Sequence, residues 1–253
     1  MNSGTLFREP VCGANCTAKE IVVNKRALVL LLCILLGFVL PLVAQNKEKD
    51  RLQDSADVMK EVLGMPDGIP KELMNKAVCV MVFPSVKKGA IGIGGSYGRG
   101  VMTCRTGPDY TGSFAGAAMY AIEGASIGFQ LGGQATDYIL LIMNPRGAKS
   151  VLTSKVKLGA DASIAGGPKG RTASAETDVV ARAEILSYSR AKGLFAGVSL
   201  AGSTLRSDGG ANENLYGKKL NATDILRDHK VGTPAPASEL LSILNRASGH
   251  RSK

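Results

Sequence analysis

Two adjoining stretches decide the fold: AVCVMVFP at residues 77–84 and the glycine-rich GAIGIGGSYGRG at residues 89–100. A compact apolar run that ends in proline is typical of a buried strand. The glycine density then persists, because 21 of the 31 glycines lie between Gly89 and Gly202. Glycine at this frequency weakens helices and is typical of twisted or bulged strands. The sequence therefore predicts a glycine-rich sheet.

Helices are predicted on either side of the sheet region. Over residues 46–63, apolar residues recur at helical spacing, and Gly64 and Pro66 end the pattern. Short helices are predicted at 70–75, 222–227 and 236–246. We expect a single α+β domain with a mostly antiparallel glycine-rich β-sheet, an N-terminal amphipathic helix and short C-terminal helices. The candidate strands are 90–105, 112–120, 125–132, 136–143, 156–164, 179–189 and 194–205.

The N-terminal region has the pattern of an export signal. Residues 27–44 form an apolar run that follows Lys25 and Arg26 and precedes a polar segment. This order is typical of a signal peptide cleaved after Ala44, although 18 apolar residues are also close to the lower limit for a membrane anchor. We interpret residues 1–22 as a mis-annotated extension, 23–44 as the signal peptide and 45–253 as the domain, with its core at about 56–245. The expected location is periplasmic, envelope-associated or secreted.

Composition restricts the chemistry. The chain has a formal charge of +10, and loss of residues 1–44 would leave +8. It has only two histidines, His229 and His250, both near the C-terminus, which argues against a His-based triad and against a multi-histidine metal site. We expect no catalytic residues, no metal and no cofactor. Export and the 5% aromatic content argue against nucleic acid as a partner.

The glycines at 92–100 raise the alternative of a nucleotide-binding loop. A dinucleotide fingerprint needs a third glycine where Tyr97 stands, and no Lys-Ser or Lys-Thr pair follows for a phosphate loop. A twisted strand is the better interpretation.

The same stretches carry a family resemblance. They are followed by GFQLG at 128–132, TDYILLIMN at 136–144, GPKG at 167–170, ILSYS at 185–189, KGLFAGVSL at 192–200 and NENLY at 212–216. In this order the motifs resemble the SYLF domain family, and the likeness runs from about residue 56 to 244. The resemblance implies a non-enzymatic module that binds phosphoinositides and other anionic lipids. Eukaryotic relatives also bind actin, which we expect not to be a partner of an exported chain.

The resemblance also implies that a basic, amphipathic N-terminal helix contacts the membrane. Here the segment 46–63 has four basic and five acidic residues, a net charge of −1, so charge does not attract it to anionic lipid. Its apolar stripe either inserts into a membrane or packs on the sheet. The candidate membrane-contact residues are Leu52, Ala56, Met59, Val62 and Leu63.

Basic residues elsewhere are the candidate headgroup ligands. They lie in turns and on strands. If they cluster on one face of the sheet, they would attract phosphate headgroups. The alternative is a scattered basic surface that only keeps the protein soluble. These candidates are Lys87, Lys88, Arg99, Arg105, Lys155, Lys157, Lys169 and Arg171.

Three further residues have structural interpretations. Cys79 and Cys104 lie on predicted neighbouring strands and form either a disulfide or two buried thiols. Asp137 has no second carboxylate or histidine nearby in sequence, so we expect it to cap a turn or to accept backbone N–H groups. The leading hypothesis is an exported lipid-binding module. The alternative is a scaffolding protein that binds another envelope protein through its sheet.

Overall fold

The computed structural model describes residues 47–91, 93–127, 134–153, 155–170, 182–191 and 193–249. All of them belong to one compact unit. The predicted extension and signal peptide, residues 1–44, lie outside the described residues. Within the described ranges, every helix is too short or too polar to cross a membrane.

The centre of the unit is a sheet whose strands are antiparallel except for one pair. Along the sheet the order is β5-β9-β3-β2-β1-β4-β7-β6, with β8 paired to β7, and β6 runs parallel to β7. The strands are β1 (Cys79–Ile91), β2 (Ile93–Arg105), β3 (Phe114–Ile127), β4 (Gln134–Ile142), β5 (Lys155–Lys157), β6 (Ile164–Gly166), β7 (Ile185–Ala191), β8 (Leu194–Gly197) and β9 (Thr204–Ser207).

Helices precede, interrupt and follow the strands. The predicted helices at the two ends are present, and the α+β class is confirmed. Two short helices, α3 and α4, were not predicted; Asn144 and Asp208 cap them by accepting the N–H groups of Gly147 and Ala211. The helices are α1 (47–64), α2 (Lys71–Lys76), α3 (Pro145–Leu152), α4 (Gly209–Tyr216), α5 (Ala222–Leu226) and α6 (Ser238–Ala247), with a 3₁₀ turn at Ala235–Ala237.

Both faces of the sheet are covered by apolar side chains. Alternation along β1 directs Val80 and Val82 into one cluster and Met81 and Phe83 into the other. The first cluster includes side chains of α1, α2 and α6, and the second includes side chains of α3 and α5. An apolar run such as that of β1 is expected where a strand is buried on both faces.

The apolar stripe of α1 packs on the sheet. Leu52, Ala56, Met59 and Val62 are fully buried in the first cluster, and Leu63 is partly buried against it. In this arrangement the stripe is not exposed for contact with a membrane. Burying each of the larger side chains contributes roughly 1.5–3 kcal/mol, so docking is strongly favoured over exposure to water.

The glycine-rich stretch accommodates an irregularity in β1. The register of β1 against β2 shifts between Val82 and Lys87, and Ser85 has a left-handed φ of 51°. A Cβ on Gly100 would overlap the Val82 carbonyl oxygen, and one on Gly98 would overlap the Val86 side chain. The stretch is therefore strand, as predicted, and these glycines allow close approach of β1.

Several predicted strand limits were wrong. Segments 112–120 and 125–132 were predicted as separate strands, but β3 runs without a break from Phe114 to Ile127. Segment 156–164 contains the end of β5 and the first residue of β6, because Gly159, with a φ of 85°, forms a turn between them. Segment 194–205 likewise contains β8 and the start of β9, with a turn at Gly202, where φ is 88°.

Candidate functional site

Strand pairing brings four of the eight predicted headgroup ligands onto one face of the sheet. Directly paired residues of antiparallel strands share a face. One row across β5, β9, β3 and β2 consists of Lys155, Arg206, Ala121 and Arg99. The next row, which continues to β1, consists of Lys157, Thr204, Glu123, Tyr97 and Lys87.

We call this surface the charged sheet face and define it by Lys87, Arg99, Glu123, Lys155, Lys157 and Arg206. At about 4.8 Å per strand, it extends roughly 19 Å from β5 to β1. Arg206 was not predicted, because its neighbours on β5 and β3 are distant in sequence. The sequence did not show that β9 places Arg206 opposite Lys155.

The two arginines of the face are paired with acids. Arg206 donates from Nε to Glu123 Oε1 at 2.7 Å. The Nε atom of Arg99 lies 3.1 Å from Asp208 Oδ2, and it also donates to the Tyr97 hydroxyl at 2.9 Å. The bond from Arg99 to Tyr97 raises the pKa of Arg99, and the bond from Arg206 to Glu123 raises the pKa of Arg206.

The three lysines of the face are available to contact a ligand. Lys87, Lys155 and Lys157 are exposed, and within the described residues no ion pair involves their ammonium groups. With both arginines also charged, five cations stand against Glu123 on the face and Asp208 behind it. The surface is thus moderately positive and carries three exposed lysine ammonium groups.

A groove adjoins this face where the first turns of α1 approach β1 and β2. It has a volume of about 420 Å³, which lies within the range of small-molecule sites. We call it the α1–β2 groove; it is lined by Lys47, Asp50, Arg51, Asp54, Pro84, Ser85, Lys87, Tyr97, Gly98 and Arg99.

Arg105 does not belong to the charged sheet face. It is 1% exposed, and its guanidinium donates to the carbonyl oxygens of Ala77 and Gly112, both at 3.0 Å. The same group lies 4.5 Å from the ring centroid of Phe114. The prediction that Arg105 contacts headgroups was wrong, because the side chain satisfies backbone carbonyls inside the protein.

The remaining basic candidates are separated from the face. Lys88 follows Lys87 in β1 and alternates to the opposite side, where its Nζ lies 5.5 Å from the Tyr138 ring centroid. Lys169 is exposed in the loop after β6, near the other end of the sheet. Arg171 lies outside the described residues. These lysines do not extend the charged sheet face.

The cysteines and Asp137 have structural positions. Cys79 and Cys104 face each other across β1 and β2 and form a disulfide, with a Cα–Cα distance of 4.0 Å. Asp137 accepts the Ser85 N–H at 2.8 Å, as expected, and pairs with Arg190 Nη2 at 2.7 Å. Arg190 also pairs with Glu61 of α1, so this network links the β1 irregularity to the helix.

Metal-ligating side chains are not clustered in the described part of the chain. There, no group of three or more His, Cys, Asp or Glu side chains is arranged to hold a metal. What the described geometry offers is a charged, open sheet surface with a groove beside it.

Comparison with known proteins identifies the family. Residues 123–247 match the family described as "Ysc84: Las17-binding protein actin regulator". An SH3 domain-containing protein of Schizosaccharomyces pombe is 33% identical over 208 residues, which cover 81% of this chain and 47% of that protein. LAS seventeen-binding protein 3 of Saccharomyces cerevisiae is 28% identical over 214 residues, or 83% of this chain and 46% of that protein. The chain belongs to the Ysc84/SYLF family.

The chain also resembles the human SH3 domain-containing YSC84-like protein 1, with 28% identity over 204 residues, 78% of this chain and 58% of that protein. It thus spans about half the length of the curated relatives it matches. These relatives are named as binding or SH3-containing proteins rather than as enzymes. The expectation that actin is not a partner is not borne out, because the matching family is described as an actin regulator.

Proposed function

We propose that this chain is an exported, non-enzymatic module that binds anionic lipid headgroups through the charged sheet face. The observation that carries the proposal is the strand register, which aligns Lys87, Arg99, Lys155 and Lys157 on one surface. Three of these four are lysines whose ammonium groups are in no ion pair within the described residues, so phosphate oxygens would meet cations that are not already neutralised.

Charge, rather than insertion, is the proposed driving force. A basic residue near an anionic membrane surface contributes roughly 1 kcal/mol, so three lysines supply roughly 3 kcal/mol. The apolar stripe of α1 is buried in the core and is not available in this arrangement. Binding should therefore weaken steeply as salt rises.

Co-sedimentation of the purified chain with neutral and anionic vesicles, across a salt series, tests the proposal. We expect binding to anionic vesicles only, and a loss of roughly 30-fold in affinity when Lys155 and Lys157 are both changed to Gln, at roughly 1 kcal/mol each. The matched control is Lys71→Gln with Lys76→Gln, which removes the same charge from exposed sites on α2. Equal losses in both double variants would contradict a defined face.

A second candidate function is the binding of a protein partner. It is favoured by the description of the matching family as Las17-binding and by relatives that carry the same description in their names. An interface of this kind would retain binding at salt concentrations that release the chain from vesicles. Absence of vesicle binding, together with co-sedimentation with filamentous actin, would favour this candidate over the lipid surface.

A further inference from the structure

We propose that the α1–β2 groove is a binding site for one phosphate monoester group, with the guanidinium groups of Arg51 and Arg99 as its main ligands. The ligand chemistry is shared by a lipid with a terminal phosphate and by a free phosphate ester. Only the lipid as the source of this phosphate depends on the function proposed above; binding of a free phosphate ester does not.

Arg51 supplies the first part of the argument. Its side chain is 13% exposed, yet its contacts are weak: Nη1 lies 3.7 Å from Glu48 Oε1 and 3.6 Å from Met119 Sδ. A guanidinium has five donors, and a thioether sulfur is a poor acceptor. Burial also lowers the pKa of Arg51, against the opposing effect of the Glu48 carboxylate. An oxyanion in the groove would satisfy donors that the described protein atoms leave unused.

Arg99 forms the other side of the groove and is better held. Within the described ranges, its contacts with Asp208 and the Tyr97 hydroxyl use only the Nε atom, which leaves its two terminal nitrogens for a ligand. The acids behind the arginines are buried: Glu48 is 2% exposed and Asp208 7% exposed. In each, one carboxylate oxygen, Glu48 Oε2 or Asp208 Oδ2, has no hydrogen-bond partner of normal geometry among the described residues. Because ionised carboxylate oxygens only accept hydrogen bonds, these two groups hold the arginines and are not ligands of the anion.

The rest of the lining selects the type of anion. Lys47 and Lys87 add two cations, whereas Asp50 and Asp54 place two carboxylates in the same lining. These carboxylates would repel a second phosphate, so the groove suits a ligand with a single charged group. Two guanidinium groups and a lysine match the three terminal oxygens of a monoester better than the two of a diester.

Backbone strain at the groove is an independent observation. Ser85 lines the groove and has a φ of 51°, which is rare for a residue other than glycine. The Asp137 carboxylate holds this conformation by accepting the Ser85 N–H. Strain of this kind persists where the surroundings enforce it and is concentrated at binding sites.

Titration of the purified chain with inorganic phosphate, followed by calorimetry or by amide chemical shifts, tests the site. We expect saturable binding in the millimolar range and a loss of at least tenfold in affinity for Arg51→Met, since hydrogen bonds to charged groups contribute about 1.5–3 kcal/mol. Met keeps the length of the side chain beside Met119. If Arg51→Met does not fold, Lys47→Gln replaces it, with an expected loss of about fivefold, at roughly 1 kcal/mol for one cation. The matched control is Lys60→Gln on the same helix, outside the groove.

Vesicles separate the sources of the phosphate. With phosphatidic acid, a monoester, we expect Arg51→Met to weaken binding; with phosphatidylglycerol, a diester, at equal charge we expect no change. Phosphate binding without vesicle binding would support the groove and reject the lipid surface. No saturable phosphate binding, or equal affinity in Arg51→Met and the unaltered chain, would overturn the groove even if vesicles bind.

Discussion

At the residue scale, Arg99 and Arg105 show how two arginines of one strand acquire different roles. Arg99 lies on the charged sheet face, 44% exposed in its side chain, whereas Arg105 is buried beneath α2. The difference arises from the spatial neighbours of each side chain. Arg105 meets the end of α2, whose last carbonyl groups need donors, and it supplies them.

Replacement of Arg105 is therefore expected to destabilise the protein. Arg105→Met leaves the carbonyl oxygens of Ala77 and Gly112 without these donors, and we expect the free energy of unfolding to fall by roughly 2–4 kcal/mol. Urea denaturation followed by circular dichroism measures it. Lys71→Met, at an exposed site on α2, is the control and should change stability by less than about 0.5 kcal/mol. A fall of less than about 1 kcal/mol for Arg105→Met would mean that water replaces the guanidinium easily.

At the scale of elements, the sequence pattern of α1 is compatible with either of two roles. Its amphipathic pattern suits a membrane surface as well as a sheet, because both accept an apolar stripe. The structure buries Leu52, Ala56, Met59 and Val62 in the core cluster beside Val80 and Val82. The ion pair that Glu61 makes with Arg190 of β7 adds a link to the sheet that a membrane-bound helix would lose.

Docking of α1 predicts a large effect from one core residue. Met59→Ala should lower the free energy of unfolding by roughly 2–5 kcal/mol, since it leaves a cavity against the sheet. Lys60→Ala, the adjacent exposed position, is the matched control and should have little effect. The comparison is made by chemical denaturation in the absence of lipid. A small effect of Met59→Ala would indicate that α1 is not packed on the sheet in solution.

At the scale of the whole molecule, the disulfide limits the freedom of the unfolded chain. Cys79 and Cys104 are separated by 25 positions, and closing a loop of that size stabilises a fold by roughly 3 kcal/mol in the chain-entropy account. We expect Cys79→Ala with Cys104→Ala to lower the free energy of unfolding by about that amount. Reductant should destabilise the unaltered chain but leave the double variant unchanged. Equal sensitivity to reductant in both proteins would show that the bridge contributes nothing.

The charged sheet face also exists only at the scale of the whole molecule. Its residues come from β1, β2, β3, β5 and β9, and positions as distant as Lys87 and Arg206 are brought together by the sheet. Removing one lysine should reduce vesicle binding modestly, because the surface acts through summed charge rather than through one contact. Vesicle binding of the β5 variant, Lys155→Gln with Lys157→Gln, is compared with that of the α2 variant, Lys71→Gln with Lys76→Gln. The difference measures how far the effect of a lost positive charge depends on its position.

Local patterns in the sequence determined the α+β class, the strand nature of the glycine-rich stretch, the helix at α1 and the structural role of Asp137. Each of these predictions depends on residues that are close together in the chain. The evidence was the spacing of apolar residues, the positions of glycine and proline, or, for Asp137, the lack of a carboxylate or histidine nearby in sequence. Only the tertiary structure decided that β5 lies beside β9, that Arg105 is buried, that Arg206 joins the face and that α1 covers the core. Strand order and burial depend on contacts between residues far apart in the chain, and no local pattern specifies those contacts.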